Sequence, residues 1–128
     1  MILLDTCALL WLVMEPERLS VRAKSLLSSH RDSLAVSAIS AFEIAIKARK
    51  NKLDLRLPAD EWWQTALAHH GIASIPVSAE IALASVALPP HHNDPADRII
   101  IATAEIHNAL VITSDGGFTA YRAVRVEW

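Results

Sequence analysis

Short apolar runs alternate along this chain with longer segments of helical period. Four of the runs, at residues 2–4, 33–36, 71–77 and 110–112, are predicted strands, and each precedes a candidate helix. Strands that are apolar on both faces are typical of a parallel sheet covered by helices on each side. The pattern therefore predicts an α/β fold, a three-layer α/β/α sandwich with a mainly parallel central sheet.

The longer segments predict six helices, at residues 6–13, 20–29, 41–50, 59–70, 79–87 and 95–108. An alternation of apolar and charged residues at 123–128 predicts a half-exposed strand at the edge of the sheet. No repeat or low-complexity stretch interrupts the chain. Its 128 residues fit one domain, so we expect residues 1–128 to form a single unit.

Composition narrows the class of protein. A hydrophobic fraction of 52% with 20% charged residues indicates a globular chain and excludes a disordered one. A net charge of −2 argues against non-specific coating of nucleic acid. The single cysteine, Cys7, can form neither an internal disulfide nor a cysteine zinc site. With no signal peptide and no apolar stretch long enough for a membrane span, we expect a cytoplasmic protein without a membrane partner.

Four acidic residues recur near predicted strand ends and helix starts: Asp5, Glu43, Asp97 and Asp115. In an open parallel sheet, the residues beyond the carboxyl ends of the strands line one crevice, so these four carboxylates should converge. Their mutual repulsion would be relieved by a hard divalent cation with oxygen ligands, Mg²⁺ or Mn²⁺. The pattern therefore predicts an acidic metal site.

A structural interpretation competes at each position. Asp5 would cap the first helix, and Ser40 with Glu43 matches a capping box in which Glu43 reaches back to the amide of Ser40. Asp115 would belong to a simple turn. The recurrence of an acid from strand to strand favours a site over these separate roles.

The segment around Pro95 contains two acids with different expected roles. Asp94, directly before Pro95, fits a helix N-cap with proline at the first helical position. Asp97 then falls in the first turn, where it faces the crevice. We therefore assign Asp94 to structure and Asp97 to chemistry.

Several other polar residues have two interpretations. A basic cluster after Glu43 would steer a phosphate backbone or form a solvated helix end; it consists of Lys47, Arg49, Lys50, Lys52 and Arg56. Arg98 is a candidate for pairing with phosphate or carboxylate, or it only balances the charge of Asp97. His91 and His92 are adjacent in a predicted loop, where we expect solvent exposure rather than a zinc site.

The acid-bearing segments resemble those of the PIN-domain nucleases, specifically the VapC-type toxins of bacterial toxin–antitoxin pairs. The resemblance rests on Ile-Leu-Leu-Asp-Thr at 2–6, the helix of Glu43, Asp-Pro-Ala-Asp-Arg-Ile-Ile-Ile-Ala-Thr-Ala at 94–104 and Leu-Val-Ile-Thr-Ser-Asp at 110–115. It implies a metal site of Asp5, Glu43, Asp97 and Asp115, supported by Thr6 and Asp94.

The same resemblance implies an activity and partners. The activity is metal-dependent endoribonuclease cleavage of single-stranded or loop RNA, with Mg²⁺ or Mn²⁺ as cofactor. The implied partners are a cognate small antitoxin and a second copy in a homodimer. Apolar residues of the first helix would supply such a contact or simply be buried in the core: Leu10, Trp11, Val13 and Met14.

Three other functions compete with this one. A phosphatase with Asp5 as nucleophile needs a second acid at the position of Cys7. A phospho-acceptor receiver-like module needs paired acids after the first strand and a late lysine, whereas no lysine follows Lys52. An inactive PIN-like binding module fits poorly with four retained acids. RNA cleavage in the presence of metal or chelator separates these alternatives.

Overall fold

The computed structural model describes residues 1–128, and a five-stranded parallel sheet forms its centre. In chain order the strands are β1 (Ile2–Leu4), β2 (Leu34–Ser37), β3 (Ala73–Ile75), β4 (Leu110–Ile112) and β5 (Arg125–Glu127). Their spatial order is β3-β2-β1-β4-β5. The last strand lies at the edge of the sheet, as predicted, but it spans only Arg125–Glu127 rather than residues 123–128.

Six α-helices connect the strands: α1 (Thr6–Met14), α2 (Val21–Ser29), α3 (Ile39–Arg49), α4 (Ala59–His70), α5 (Ala79–Ala87) and α6 (Pro95–His107). Short 3₁₀ helices lie at Pro16–Arg18, Arg31–Ser33 and Gly116–Ala120. All six predicted helices are present, and α3 begins two residues earlier than expected. No helix combines the length and apolarity that crossing a bilayer requires.

Alternate residues of the central strands enter two separate cores. Ile2 and Leu4 pack on one face with residues of α1, α2 and α4, whereas Leu3 packs on the other face with residues of α5 and α6. All three strand residues are at most 2% exposed. Apolar side chains on both faces are what a doubly covered parallel sheet requires, and the predicted three-layer α/β/α sandwich is confirmed.

The strand order places a crevice at one edge of the sheet. From the central β1 the chain runs to β2 and β3 on one side, and it later returns to β4 and β5 on the other. The connections leaving β1 and β4 therefore diverge beyond their carboxyl ends. Such a switch point opens a crevice in parallel sheets, and here Asp5 and Thr113 stand directly at it.

Most apolar residues of α1 are covered from within the chain. Leu10 belongs to the core, and the ring of Trp11 lies 5.4 Å from that of Trp128, with the guanidinium of Arg18 4.5 Å above it. Met14 is 37% exposed. Of the four apolar residues, Leu10 is therefore a core residue, Trp11 and Val13 are partly buried against the core, and Met14 remains exposed.

Candidate active site

Asp5 lies at the base of the crevice, directly after β1 and at the N-cap of α1. Its Oδ1 accepts a hydrogen bond from the backbone N–H of Ala8 at 2.8 Å, and its Oδ2 accepts one from the hydroxyl of Thr113. The residue is only 6% exposed. Burial raises the pKa of this carboxyl, while the two hydrogen bonds favour its ionised form. Asp5 thus caps a helix and also presents charge to the crevice.

Glu43 reaches the crevice from α3, where its Oε1 accepts a hydrogen bond from the hydroxyl of Thr6. The Oγ atoms of Thr6 and Ser40 are 2.8 Å apart, so α3 is tied to the start of α1. The predicted capping box is wrong. Because α3 begins at Ile39, Ser40 lies within its first turn, and Ser37 instead accepts the hydrogen bond from the amide of Ile39 at 3.1 Å.

Asp94 and Asp97 lie at the start of α6, Asp94 as its N-cap and Asp97 in its first turn. Asp94 Oδ1 accepts hydrogen bonds from the amides of Ala96 at 2.9 Å and Asp97 at 3.1 Å, which confirms the predicted N-cap. Both Asp94 and Asp97 line the crevice, and the side chain of Asp97 accepts no helix-capping hydrogen bond. Burial, and next the charge of Asp94, raise the pKa of Asp97 to about 7.

Asp115 follows β4 and caps the 3₁₀ helix that comes next. Its Oδ1 accepts a hydrogen bond from the amide of Gly117 at 2.8 Å, and its Oδ2 lies 3.0 Å from Nε2 of His92. The hydrogen bond with His92, followed by that from Gly117, lowers the pKa of this carboxyl. The turn interpretation and the crevice interpretation therefore both describe Asp115.

The four predicted acids meet in one cavity of about 170 Å³, although they come from four separate segments of the chain. Its nine lining residues are Asp5, Thr6, Cys7, Glu43, Lys47, Asp94, Asp97, Ser114 and Asp115. Lys47 is the one basic residue among them. A donor set made almost entirely of carboxylate and hydroxyl oxygens fits a hard divalent cation of the Mg²⁺ or Mn²⁺ type.

The sequence did not indicate the positions of Thr113, which bonds to Asp5, and of His92. The expectation of solvent exposure is wrong, because its side chain is 15% exposed and its Nε2 lies within 3.2 Å of Asp97 and 3.0 Å of Asp115. Asp115 is 23 residues away in the chain, so no local pattern marks the contact. The one sequence feature that could have placed His92 near the site is its position two residues before Asp94, the N-cap of α6.

Arg98 has a different role from the predicted one. Its guanidinium donates hydrogen bonds to four backbone carbonyls of the segment before α6: those of Val86, Leu88, Pro89 and His92. The interpretation of Arg98 as a partner of phosphate or carboxylate is therefore wrong. In the basic cluster, only Lys47 lines the cavity, and Arg49, Lys50, Lys52 and Arg56 are exposed at and beyond the end of α3.

Comparisons with known proteins agree with this architecture. The PIN domain family model matches residues 2–124. Ribonuclease VapC22 of Mycobacterium tuberculosis is 38% identical over 125 residues, which cover 97% of this chain and 94% of that protein.

Two solved structures resemble the whole chain. A toxin–antitoxin complex from Klebsiella pneumoniae contains a chain 28% identical to this one, with a TM-score of 0.67 and coverage of 97% and 95% of the two chains. VapBC2 from Rickettsia felis, bound to a promoter DNA fragment, shares the fold at 17% identity, with a TM-score of 0.74 and coverage of 99% and 98%. On sequence and on structure, the chain belongs to the PIN-domain family.

Proposed function

We propose that this protein is a divalent-metal-dependent endoribonuclease and the toxin of a toxin–antitoxin pair. The observation that carries the proposal is the meeting of four carboxylates in one cavity at the switch point of a PIN-domain sheet. The ribonuclease name of the Mycobacterium tuberculosis relative supports RNA as the substrate class.

In this proposal Asp5, Glu43, Asp97 and Asp115 hold Mg²⁺ or Mn²⁺. A bound divalent cation supplies an acidified water and stabilises the charge that develops on the phosphodiester. Lys47, the basic residue of the cavity, attracts the substrate phosphate to the carboxylates. Thr6 and Thr113 orient the carboxylates of Glu43 and Asp5 through their hydroxyl groups.

Cleavage of a fluorescently labelled single-stranded RNA tests the activity. The purified protein should cut it with Mg²⁺ or Mn²⁺, lose that activity in EDTA, and regain it when metal is restored. Full activity in EDTA, with contaminating metal excluded, would contradict a metal mechanism. Absence of cleavage of any RNA with either metal would contradict the nuclease assignment.

The toxin assignment implies a neutralising partner encoded next to this chain. The toxin–antitoxin description of the Klebsiella pneumoniae structure supports a small antitoxin. An acidic cavity accepts an arginine or lysine side chain of an amphipathic segment, and Phe42, 61% exposed beside Glu43, offers such a segment an apolar contact. Co-expression with the adjacent open reading frame should give a stable complex without RNA cleavage. The lack of a neutralising neighbour would remove the toxin assignment and leave the nuclease assignment in place.

We also propose that the protein acts in the cytoplasm as a homodimer. Exposed apolar side chains lie on α5 at Leu83 and Val86, 73% and 79% exposed, and on α6 at Ile106, 39% exposed. Exposed apolar groups gathered on neighbouring helices are typical of an interface. Size-exclusion chromatography with light scattering should give the mass of a dimer, and the mass of a monomer at micromolar concentration would contradict the proposal.

A further inference from the structure

His92 lies beside the acidic cavity, in contact with two of the carboxylates that line it. Its Nε2 lies 3.0 Å from Oδ2 of Asp115 and 3.2 Å from Oδ2 of Asp97. The imidazole stands edge-on against the ring of Phe118, with 5.8 Å between ring centroids. A single nitrogen thus contacts two of the four carboxylates, which approach it from separate segments of the chain.

The other ring nitrogen determines where the proton lies. Nδ1 of His92 accepts a hydrogen bond from the backbone N–H of Asp94 at 3.2 Å, so this nitrogen carries no proton. A neutral imidazole with a bare Nδ1 has its proton on Nε2. The Nε2–H therefore donates a hydrogen bond to Asp115 and also faces Asp97.

This arrangement is the opposite of that in a metal-ligating histidine. Such a histidine binds the ion with one bare nitrogen and donates its other N–H to a carboxylate or carbonyl acceptor. In His92 the nitrogen remote from the acids faces a donor, and the nitrogen next to the acids is the donor. The hydrogen bonds thus suit a residue that orients ligands and do not suit a ligand.

The backbone of His92 is fixed from two directions. The amide of His92 donates to the hydroxyl oxygen of Tyr121 at 2.9 Å, and that hydroxyl donates to the carbonyl of Pro89 at 2.7 Å. Arg98 donates to the carbonyl of His92 at 3.0 Å. At Gly117 an added Cβ would lie 3.1 Å from Cδ2 of His92, so the ring leaves little room for a side chain at this position. The imidazole is therefore held in place before any ligand binds.

We infer that His92 is a positioning residue of the proposed metal site, whose Nε2–H holds Asp97 and Asp115 together on one side of the cavity. This inference rests on the proposed function. Two carboxylates that share one donor repel each other less, and their free oxygens keep a fixed direction. Loss of such an outer partner typically weakens metal binding about 10- to 100-fold.

Calorimetric titration of the full-length protein with Mn²⁺ tests the inference on three variants. His92→Asn retains an acceptor for the amide of Asp94 but has no group at the position of Nε2, and it should bind Mn²⁺ about 10- to 100-fold more weakly than the wild type. His92→Gln places an amide N–H near the original donor and should recover most of that loss. His91→Asn is the matched control, since His91 is exposed and contacts none of the four carboxylates, and it should leave the affinity unchanged.

Pulsed electron paramagnetic resonance of the Mn²⁺-loaded wild type separates positioning from ligation. We expect no directly coordinated nitrogen. A ¹⁴N coupling that disappears in His92→Asn would identify His92 as a ligand and overturn the inference. The inference would also be overturned if His92→Asn bound Mn²⁺ as tightly as the wild type. It would likewise be overturned if the asparagine and glutamine variants, both shown to be folded by thermal unfolding, bound Mn²⁺ equally weakly. A wild-type protein that binds no Mn²⁺ would overturn the proposed metal site and this inference with it.

Discussion

The cavity has two parts that are built differently. The floor consists of buried residues at strand ends and helix starts: Asp5 and Thr6, which line the cavity, and behind them Thr113 and Ser40, which bond to their side chains. Each of the four is at most 6% exposed. The rim consists of residues on or beside loops, all partly or fully exposed: the lining residues Asp94, Asp97 and Asp115, with His92 in contact with the last two. The polar atoms of the floor bond to one another and to backbone amides, whereas the rim is held by helix caps and by the network of Arg98 and Tyr121.

This difference predicts that substitutions in the floor and in the rim affect the stability of the fold to different extents. A floor residue such as Asp5 caps α1, accepts the hydroxyl of Thr113 and points charge into the cavity, so its replacement affects fold and site together. The side chain of a rim residue such as Asp97 bonds to no group of the fold other than His92, so its replacement should affect the site far more than the fold. Four experiments examine this distinction.

The largest effect is expected at the rim, from Asp97→Asn. The substitution removes a charged ligand while its backbone amide still donates to the cap of Asp94, so RNA cleavage should nearly vanish in a protein that remains folded. Asp94→Asn is the matched control, because asparagine also caps helices well. If Asp94→Asn abolishes cleavage as completely as Asp97→Asn, the division of roles between them is wrong.

The largest effect on stability is expected in the floor, from Thr113→Val. Valine keeps the shape but removes the hydroxyl, which donates to the buried Asp5 and accepts from the amide of Asp115 at 3.0 Å. A buried group left without its partner costs about 1–3 kcal/mol, and urea unfolding should show a loss of that size. Thr119→Val, at an exposed position, should change stability by less than about 0.5 kcal/mol. Equal stability of the two variants would remove the distinction between floor and rim.

Both the floor and the rim were predictable from sequence only in part, and nothing in the sequence singled out Thr113 or the position of His92. Asp5 follows a continuous apolar strand, and the topology of parallel sheets brings such positions to one edge whatever the loops do. Asp94 and Asp97 were separable because proline fixes the start of α6. His92 and Arg98 depend on where a loop folds back, and their hydrogen bonds go to backbone carbonyls or to residues distant in the chain. The capping box failed because Ser40 packs against Thr6, a tertiary contact that overrides the local motif.

A smaller effect is expected from Arg98→Lys, which loosens the rim without touching an acid. Lysine keeps the charge but lacks the planar fork that reaches several carbonyls at once. We expect a loss of about 1–2 kcal/mol in the free energy of unfolding, together with weaker Mn²⁺ binding, because the segment carrying His92 is released. Arg122→Lys, at an exposed position, is the control and should leave both quantities unchanged. Undiminished Mn²⁺ affinity in Arg98→Lys would show that the rim does not depend on this network.

The smallest effect is the pH dependence of the metal-free protein. The pKa of Asp97 is about 7 in the folded state, against an ordinary value of 3.8. Between these two values the folded state holds a proton that the unfolded chain has released, so the free energy of unfolding should fall as the pH rises from 4 to 7. The raised pKa of Asp5 acts in the same direction, and the lowered pKa of Asp115 acts only at more acidic pH.

Asp97→Asn isolates the contribution of the rim to this pH dependence. Asparagine does not titrate, so urea unfolding in EDTA should show a flatter pH dependence than the wild type. The variant should be more stable than the wild type near neutral pH, by on the order of 1 kcal/mol, since solvent screens a partly exposed carboxyl. Saturating Mn²⁺ should reverse this order, because the ion binds the ionised carboxyl of the wild type and stabilises its folded state. Identical pH profiles for the two metal-free proteins would show that Asp97 titrates as an ordinary carboxyl. The unfavourable ionisation that metal binding relieves would then be that of Asp5, in the floor.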